Sequence, residues 1–178
     1  MKGENGSIPA FARDILQTLE GAGHEAYCVG GCVRDTLLGR TPGDWDITTS
    51  ARPEETLALF GADALPTGLR HGTVTVRRPD GSAEVTTFRR DGDYTDHRHP
   101  ESVAFTDSLT EDLARRDFTV NAMALSLRGE LRDPFHGRED LAAGRIRCVG
   151  EPARRFGEDA LRILRGLRFA AVLGFAIE

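Results

Sequence analysis

Lysine is all but missing from this chain. Of 23 basic residues, Lys2 is the single lysine and the other 22 are arginines. Genome composition accounts for part of that bias, but a guanidinium fork also suits two-point contact with phosphates and base edges. Cysteine is scarce too. Cys28, Cys32 and Cys148 are odd in number and lack CxxC spacing, which argues against a disulfide framework or a zinc site and for three reduced thiols. No apolar run approaches the length of a membrane span. The opening MKGENGSIPA has no apolar core of signal-peptide length, so the protein is expected in the cytoplasm, away from membranes. An excess of positive charge is also lacking. The net charge of −5 argues against a general nucleic-acid coat and leaves room for a local basic groove. His24, His71, His97, His99 and His136 form no metal-binding set, and no Ser-His-Asp or Cys-His arrangement has supporting context.

What is present is an ordinary soluble balance, 39% hydrophobic and 29% charged over 178 residues. That is enough for one good-sized domain, or one domain and part of another. Ser7 reads as the N-cap of a first helix with Ile8, Phe11, Ile15, Leu16 and Leu19 at helical spacing, ended by Gly21 and Gly23. Ala26–Val29 reads as a buried strand, and Val33, Leu37 and Leu38 mark a short helix closed by Gly39. Asp46–Thr49 is a second strand, after which Pro53 opens a helix through Leu57 and Phe60. Thr73–Arg77 and Ala83–Phe88 alternate about the turn Arg78-Pro79-Asp80-Gly81, a β-hairpin. Residues 89–106 are polar and without period, the mark of a functional or disordered loop. Ser108 and Glu111 predict a capping box. After apolar 118–127 and turn-rich 131–141, Pro152 precedes a last helix starting near Phe156. On its wheel Ala160, Ile163, Leu164, Leu167 and Ala171 form one arc, and Arg155, Glu158, Arg162 and Arg165 the opposite one. Phe169 is the one large apolar residue on the polar side. The chain stops at Glu178 with this helix barely finished, so a truncated chain is expected.

The chemistry concentrates in Gly30–Thr49, GGCVRDTLLGRTPGDWDITT. Gly30-Gly31, between strand and helix, lets backbone N–H groups approach a triphosphate, with Arg34 one turn further on. Taken alone, a tight turn explains the two glycines equally well. Asp44 and Asp46, at i and i+2 of a strand, share a face about 7 Å apart and can bracket magnesium ions about 3.5–4 Å apart. Magnesium takes a few carboxylates and completes its shell with phosphate oxygens. A lone DxD is more often a pair of solvated acids. Glu84, which interrupts the β-forming AEVTTF, is a candidate third acid, or an exposed strand position. Arg116 suits phosphate, and Asp117 and Asn121 suit sugar hydroxyls. Asp159 and Arg162, at i and i+3, set an acceptor beside a donor fork. Such a pair can read the exocyclic amine and ring acceptor that cytosine and adenine share, or it can form an intrahelical salt bridge.

The segments GGCVRD, DWDITT, RRDFTVNAMA, DPFHGREDL and RFGEDALRILRGLRFA stand in this order. From about Tyr27 to its end the chain resembles the class II tRNA nucleotidyltransferase (CCA-adding) and bacterial poly(A) polymerase family, of the superfamily shared with DNA polymerase beta. The resemblance implies an α+β head over residues 1–148, a mixed or antiparallel sheet flanked by helices. It implies the start of an all-α neck over 149–178. It makes Gly30, Gly31 and Arg34 triphosphate contacts, Asp44 and Asp46 magnesium-binding catalytic acids, and Glu84 the third acid. Arg116, Asp117 and Asn121 become nucleotide contacts, Asp159 and Arg162 the base readers, and Arg165 and Arg168 neighbouring contacts. DPFHGREDL becomes a hinge, and residues 89–106 the loop associated with switching from C to A. The implied activity is template-independent addition of C and A, from CTP and ATP with Mg²⁺, to the 3′ end of tRNA. The family's tRNA-gripping body and tail are not in this chain, so nucleotide binding with poor addition is expected. A poly(A) polymerase or a CC-only or A-only enzyme shares the same core. A non-catalytic nucleotide- or RNA-binding module is disfavoured by Asp44, Asp46 and Glu84.

Overall fold

The computed structural model describes residues 8–92 and 103–178. Ser7, His97, His99 and Pro100 lie outside these. The chain opens with α1 (Ala10–Gly21), β1 (Ala26–Val29), α2 (Gly31–Leu37), β2 (Trp45–Thr49) and α3 (Pro53–Phe60). It continues through β3 (Ala64–Gly68), β4 (Thr73–Arg78), β5 (Gly81–Thr87), β6 (Arg89–Asp91), β7 (Val103–Phe105) and α4 (Leu109–Ala114). There follow β8 (Ala124–Ser126), β9 (Leu131–Arg132), α5 (Gly137–Ala143), β10 (Arg145–Ile146), α6 (Pro152–Glu158), α7 (Leu161–Leu173) and β11 (Ala176–Ile177).

Seven strands make one mixed sheet in the order β3-β4-β5-β2-β1-β8-β9, the α+β architecture the sequence leads one to expect. Its neighbours run antiparallel except β2 and β5, which are parallel and place Asp46 beside Glu84 in register. Strand alternation then divides the sheet. Trp45, Ile47 and Thr49 of β2 and Ala83, Val85 and Thr87 of β5 are buried on one face. There α1 lays down Ala12, Ile15, Leu16 and Leu19, all with no exposed surface. Ile15, Leu16 and Leu19 each contribute about 1.5–3 kcal/mol when removed from water. Asp46 and Glu84 point the other way, to the face that α1 does not cover.

The structure departs from the sequence reading in four places. First, β3 is an edge strand whose Ala-Leu-Pro-Thr-Gly has little strand signal, because only an edge tolerates a proline that cannot donate to a ladder. Second, the polar stretch read as one loop begins and ends in the paired strands β6 and β7. Third, only half of the capping box forms. The Ser108 hydroxyl accepts from the Glu111 amide at 3.3 Å, but the Glu111 carboxylate accepts from the Thr106 hydroxyl instead.

The fourth departure is at the C-terminal end. The single expected helix is two, because Asp159 is extended (φ −141°, ψ 105°) between α6 and α7. Moreover, the wheel faces the opposite way from an ordinary surface helix. Ile163, Leu164 and Leu167 are exposed, whereas Arg162 and Gly166 are buried and Phe169 half-buried. The Gly166 Cα carries no side chain because the Phe118 ring sits where one would go, 3.1 Å from an added Cβ.

DPFHGREDL, the expected hinge, is a turn leading into α5. Asp133 accepts from the amides of Gly137 at 2.7 Å and Arg138 at 2.9 Å, while His136 takes a left-handed conformation (φ 60°). Buried Asp140 then accepts from the Thr119 hydroxyl at 2.6 Å and from Arg147 Nε at 2.8 Å. These bonds clamp α5 onto the 3₁₀ turn that carries Asn121. The approach is so close that a Cβ on Gly137 would lie 2.1 Å from the Thr119 carbonyl oxygen. Gly137→Ala is therefore expected to destabilise by about 3 kcal/mol or more through overpacking against backbone. Gly21→Ala, in α1 with nothing within 4 Å of the added Cβ, is expected to stabilise by about 0.5–1 kcal/mol. Urea unfolding of the two variants checks the opposite signs.

Candidate functional site

Gly30 closes β1 with φ 81° and ψ −133°, a conformation nearly confined to glycine. The missing side chain also makes room: a Cβ there would stand 3.3 Å from Arg116 Nη1 and 3.8 Å from Asp46 Oδ2. The strand-to-helix turn, the arginine and the acid therefore meet at one point. Arg116 sits low in the structure, its side chain 18% exposed, and its Nε is buried without a hydrogen-bond partner among the described residues. An orphan donor of this kind is rare in a finished protein interior and marks a place for an acceptor from outside.

Around that point opens a cavity of about 510 Å³, lined by six arginines and four aspartates together with Gly30, Gly31, His71, Asn121 and Phe169. Arg34 is aimed by a two-point contact to Asp35 (2.9 and 3.0 Å) and by Nη1 donation to Asn121 Oδ1 at 2.8 Å. Arg165 donates to Asp117 Oδ2 at 2.7 Å. Both guanidinium groups also lie over the Phe169 ring, 5.2 and 5.3 Å from its centre. Phe169 itself packs edge-on against Phe118 at 5.9 Å. Asp117 and Asn121, expected to meet sugar hydroxyls, are thus already occupied in aiming arginines. A cavity lined this way suits a polyanion with a flat, polarizable part.

The acids occupy the neighbouring groove, about 720 Å³, which Asp44, Asp46 and Glu84 line together. Asp46 borders both spaces. Asp44 is not on the strand; it lies in the bend before β2 and is exposed, as is Glu84. Burial pushes the Asp46 carboxyl above its ordinary value; Arg116 pulls it down, and Glu84 and Asp44 push it up again. Crowded carboxylates of this sort suit a divalent cation. No three candidate donors among the described residues converge as a ready-made ligand set.

At the far wall, Asp159 and Arg162 both line the cavity but do not form the expected i,i+3 pair on one helix. Asp159 Oδ1 accepts from the Leu161 amide at 2.9 Å, capping the start of α7. Arg162 donates to Glu158 at 3.0 Å and to the carbonyl oxygen of Arg115 at 3.2 Å. The helix break separates them: an aspartate that satisfies the next helix's amide leaves the α conformation to do it. Arg168 is exposed and outside the cavity lining. The sequence reading missed His71, Arg89 and Asp91 of the lining, and three further residues. Phe169 had a signal, being the apolar residue out of place on a polar arc. Arg115 had the weaker one of standing next to Arg116. Asp112 had none beyond a charge in a helical cap. Asp112 is wholly buried, and its Oδ1 accepts from Arg115 Nε at 2.9 Å and the Arg89 amide at 3.3 Å. Its Oδ2 accepts from the Thr48 hydroxyl at 3.0 Å and lies 3.5 Å from Arg116 Nη2.

Residues 26–147 match the Poly A polymerase head domain family. The CCA-adding enzyme of Lactobacillus helveticus is 55% identical over 167 residues, which are 94% of this chain and 42% of that protein. The crystal structure of the Bacillus stearothermophilus CCA-adding enzyme in complex with CTP superposes with a TM-score of 0.88 at 48% identity, covering 97% of this chain and 42% of that one. A tRNA nucleotidyltransferase complexed with a primer tRNA and an incoming ATP analog superposes with a TM-score of 0.74 at 37% identity, covering 92% of this chain and 46% of that one. The chain spans less than half the length of these relatives. No helix among the described residues is long and apolar enough to cross a membrane.

Burial alone would raise the Asp112 carboxyl, but Arg115 and Arg116, with hydrogen bonds from Arg115 and Thr48, hold it below its ordinary value. A carboxylate whose folded pKa is depressed contributes stability that is complete above its unfolded value, about 3.9, and is lost as pH falls through the lower folded value. The stability gap between the wild type and Asp112→Asn is therefore expected to be widest near neutrality and to narrow below about pH 4. Urea denaturation at neutral and acid pH measures it.

Proposed function

This chain belongs to the Poly A polymerase head domain family, and from that premise we propose that it is the catalytic head, with the start of a helical neck from residue 149, of a cytoplasmic CCA-adding tRNA nucleotidyltransferase. The carrying observation is the position of Asp46, shared between an arginine-lined cavity and a groove of acids. A nucleoside triphosphate in the first would present its α-phosphorus to an RNA 3′-hydroxyl entering by the second.

Arg116, beside the Gly30 turn, and Arg34 hold the phosphates, and the Arg116 Nε orphan gains an acceptor there. Phe169, flanked by Arg34 and Arg165, gives the nucleotide an apolar wall. Asp117 and Asn121 keep those two arginines in place, and Asn121 Nδ2, which gives one hydrogen to Asp117, offers its second to the sugar. Asp159 and Arg162, each held separately, face the base: a carboxylate acceptor and a guanidinium donor favour cytosine and adenine. A carbonyl at the amine position, as in uracil or guanine, leaves the carboxylate facing another acceptor. Asp44 and Asp46 would hold magnesium, with Glu84 beside them, and the ion would supply charge neutralisation at the phosphates and at the attacking hydroxyl. The hydroxyl gives its proton to a carboxylate of the acid groove, its oxygen bonds to the α-phosphorus as the bond to pyrophosphate breaks, and the fixed arginines stabilise the charge that develops on the leaving group.

The full-length protein is tested with tRNA lacking its 3′ end and with CTP and ATP supplied separately and together. CTP alone is expected to extend the tRNA by C, and the pair to complete CCA. Asp46→Ala is expected to reduce addition by on the order of 10²–10³ or more. Runs of A from ATP alone would identify a poly(A) polymerase instead. Undiminished addition by Asp46→Ala would sink the assignment of the acids.

A further inference from the structure

We propose that Asp112 is a positioning residue for nucleotide binding, holding the Arg116 guanidinium over the cavity and away from Asp46. The inference rests on the nucleotide reading of the cavity given above. Asp112 belongs to α4 and does not line that cavity. It is nevertheless the only carboxylate within ion-pair distance of Arg116 among the described residues.

Two features make its placement more than a buried charge pair. Each carboxylate oxygen is shared between one rigid donor and one arginine. Oδ1 takes the Arg89 amide and Arg115 Nε, and Oδ2 takes the Thr48 hydroxyl and faces Arg116. The rigid donors come from β6 and from β2, two residues beyond Asp46, so the plane of the carboxylate is set by the sheet. The arginines take their direction from it. The second feature is the 3.5 Å separation from Arg116 Nη2. Charge-assisted hydrogen bonds usually close to about 2.7–2.9 Å. At the longer distance Asp112 attracts and orients the guanidinium without using up its donors, and Nε remains unpaired. Asp46 and Asp117 are the other carboxylates whose charge acts on Arg116. Without Asp112, the guanidinium would turn toward Asp46, closing the passage between cavity and acid groove and withdrawing a phosphate donor.

The test is a double-mutant cycle on CTP affinity, measured by calorimetry in magnesium buffer on the wild type, Asp112→Asn, Arg116→Ala and the double variant. Arg116→Ala is expected to weaken CTP binding about tenfold or more. Asp112→Asn is expected to weaken it about tenfold when Arg116 is present and less than twofold when it is not, because a residue that acts through another has nothing left to aim. Equal losses in the two backgrounds would mean a general structural role and overturn the proposal; so would unchanged affinity in Asp112→Asn alone. If Arg116→Ala itself binds CTP normally, the nucleotide reading of that arginine falls, and the positioning role with it. Should Asp112→Asn not fold, Thr48→Val carries the same test by removing one anchor of the carboxylate while keeping its charge. It is expected to cost about threefold with Arg116 present and nothing without it, and equal costs in both backgrounds would be decisive against the idea.

Discussion

A guanidinium kept beneath the protein surface must be matched by carboxylates, and the matching of Arg116 constrains everything around it. Arg116 has Asp112 behind it and Asp46 in front of it. Gly30 has to be a glycine because of its backbone, with φ at 81°, and a Cβ there would also crowd the arginine at 3.3 Å. The chain as a whole carries a net charge of −5, but the cavity gathers six arginines against four aspartates. The aspartates are what make that gathering tolerable: like charges in a low-dielectric space repel strongly unless each has a partner. A positive site inside an acidic protein is therefore built of pairs: Asp117 holds Arg165 from within the lining, while Asp35, Asp112 and Glu158 hold Arg34, Arg115 and Arg162 from behind it.

Much of this was legible in the sequence where local rules act alone. Ala26–Val29 is a strand with the bounds its apolar run suggests. The hairpin turns at Pro79-Asp80, and Pro53 opens its helix. The sequence order of the motifs also brought Gly30, Gly31, Arg34, Arg116, Asp117 and Asn121 to one cavity. What could not be read was held by distant partners. β6 and β7 are short and polar, and exist because they pair with each other. Asp112 looks like one more acid in a helix cap until the fold puts Thr48, Arg89, Arg115 and Arg116 around it. Glu111 has the spacing of a capping box and is drawn off by Thr106.

The reversed face of α7 has a different cause. A helical wheel locates the core by assuming that the interior is apolar. Here the side of the helix that faces the rest of the protein faces a wet, charged cavity, so arginines and a glycine point inward and leucines point out. Phe169 was the hint, since a ring amid charges is what a stacked guanidinium requires. Amphipathic patterning thus reports which side is apolar, and only the fold reports which side is inside.

The parallel pairing of β2 and β5 has a bearing on how such a chain can vary. Asp46 and Glu84 are level because two strands share backbone hydrogen bonds in register. The chain between those strands leaves the sheet as α3, returns as the outer strands β3 and β4, and re-enters beside its point of departure. It is a closed detour. Lengthening or shortening a loop within it would change the outline of that edge while leaving the two acids at the same height, because loop-closure entropy grows only slowly with length. The chemistry is thereby insulated from insertions at one margin of the sheet. In the middle of the sheet, where a single glycine separates β1 from α2, there is no slack to absorb them.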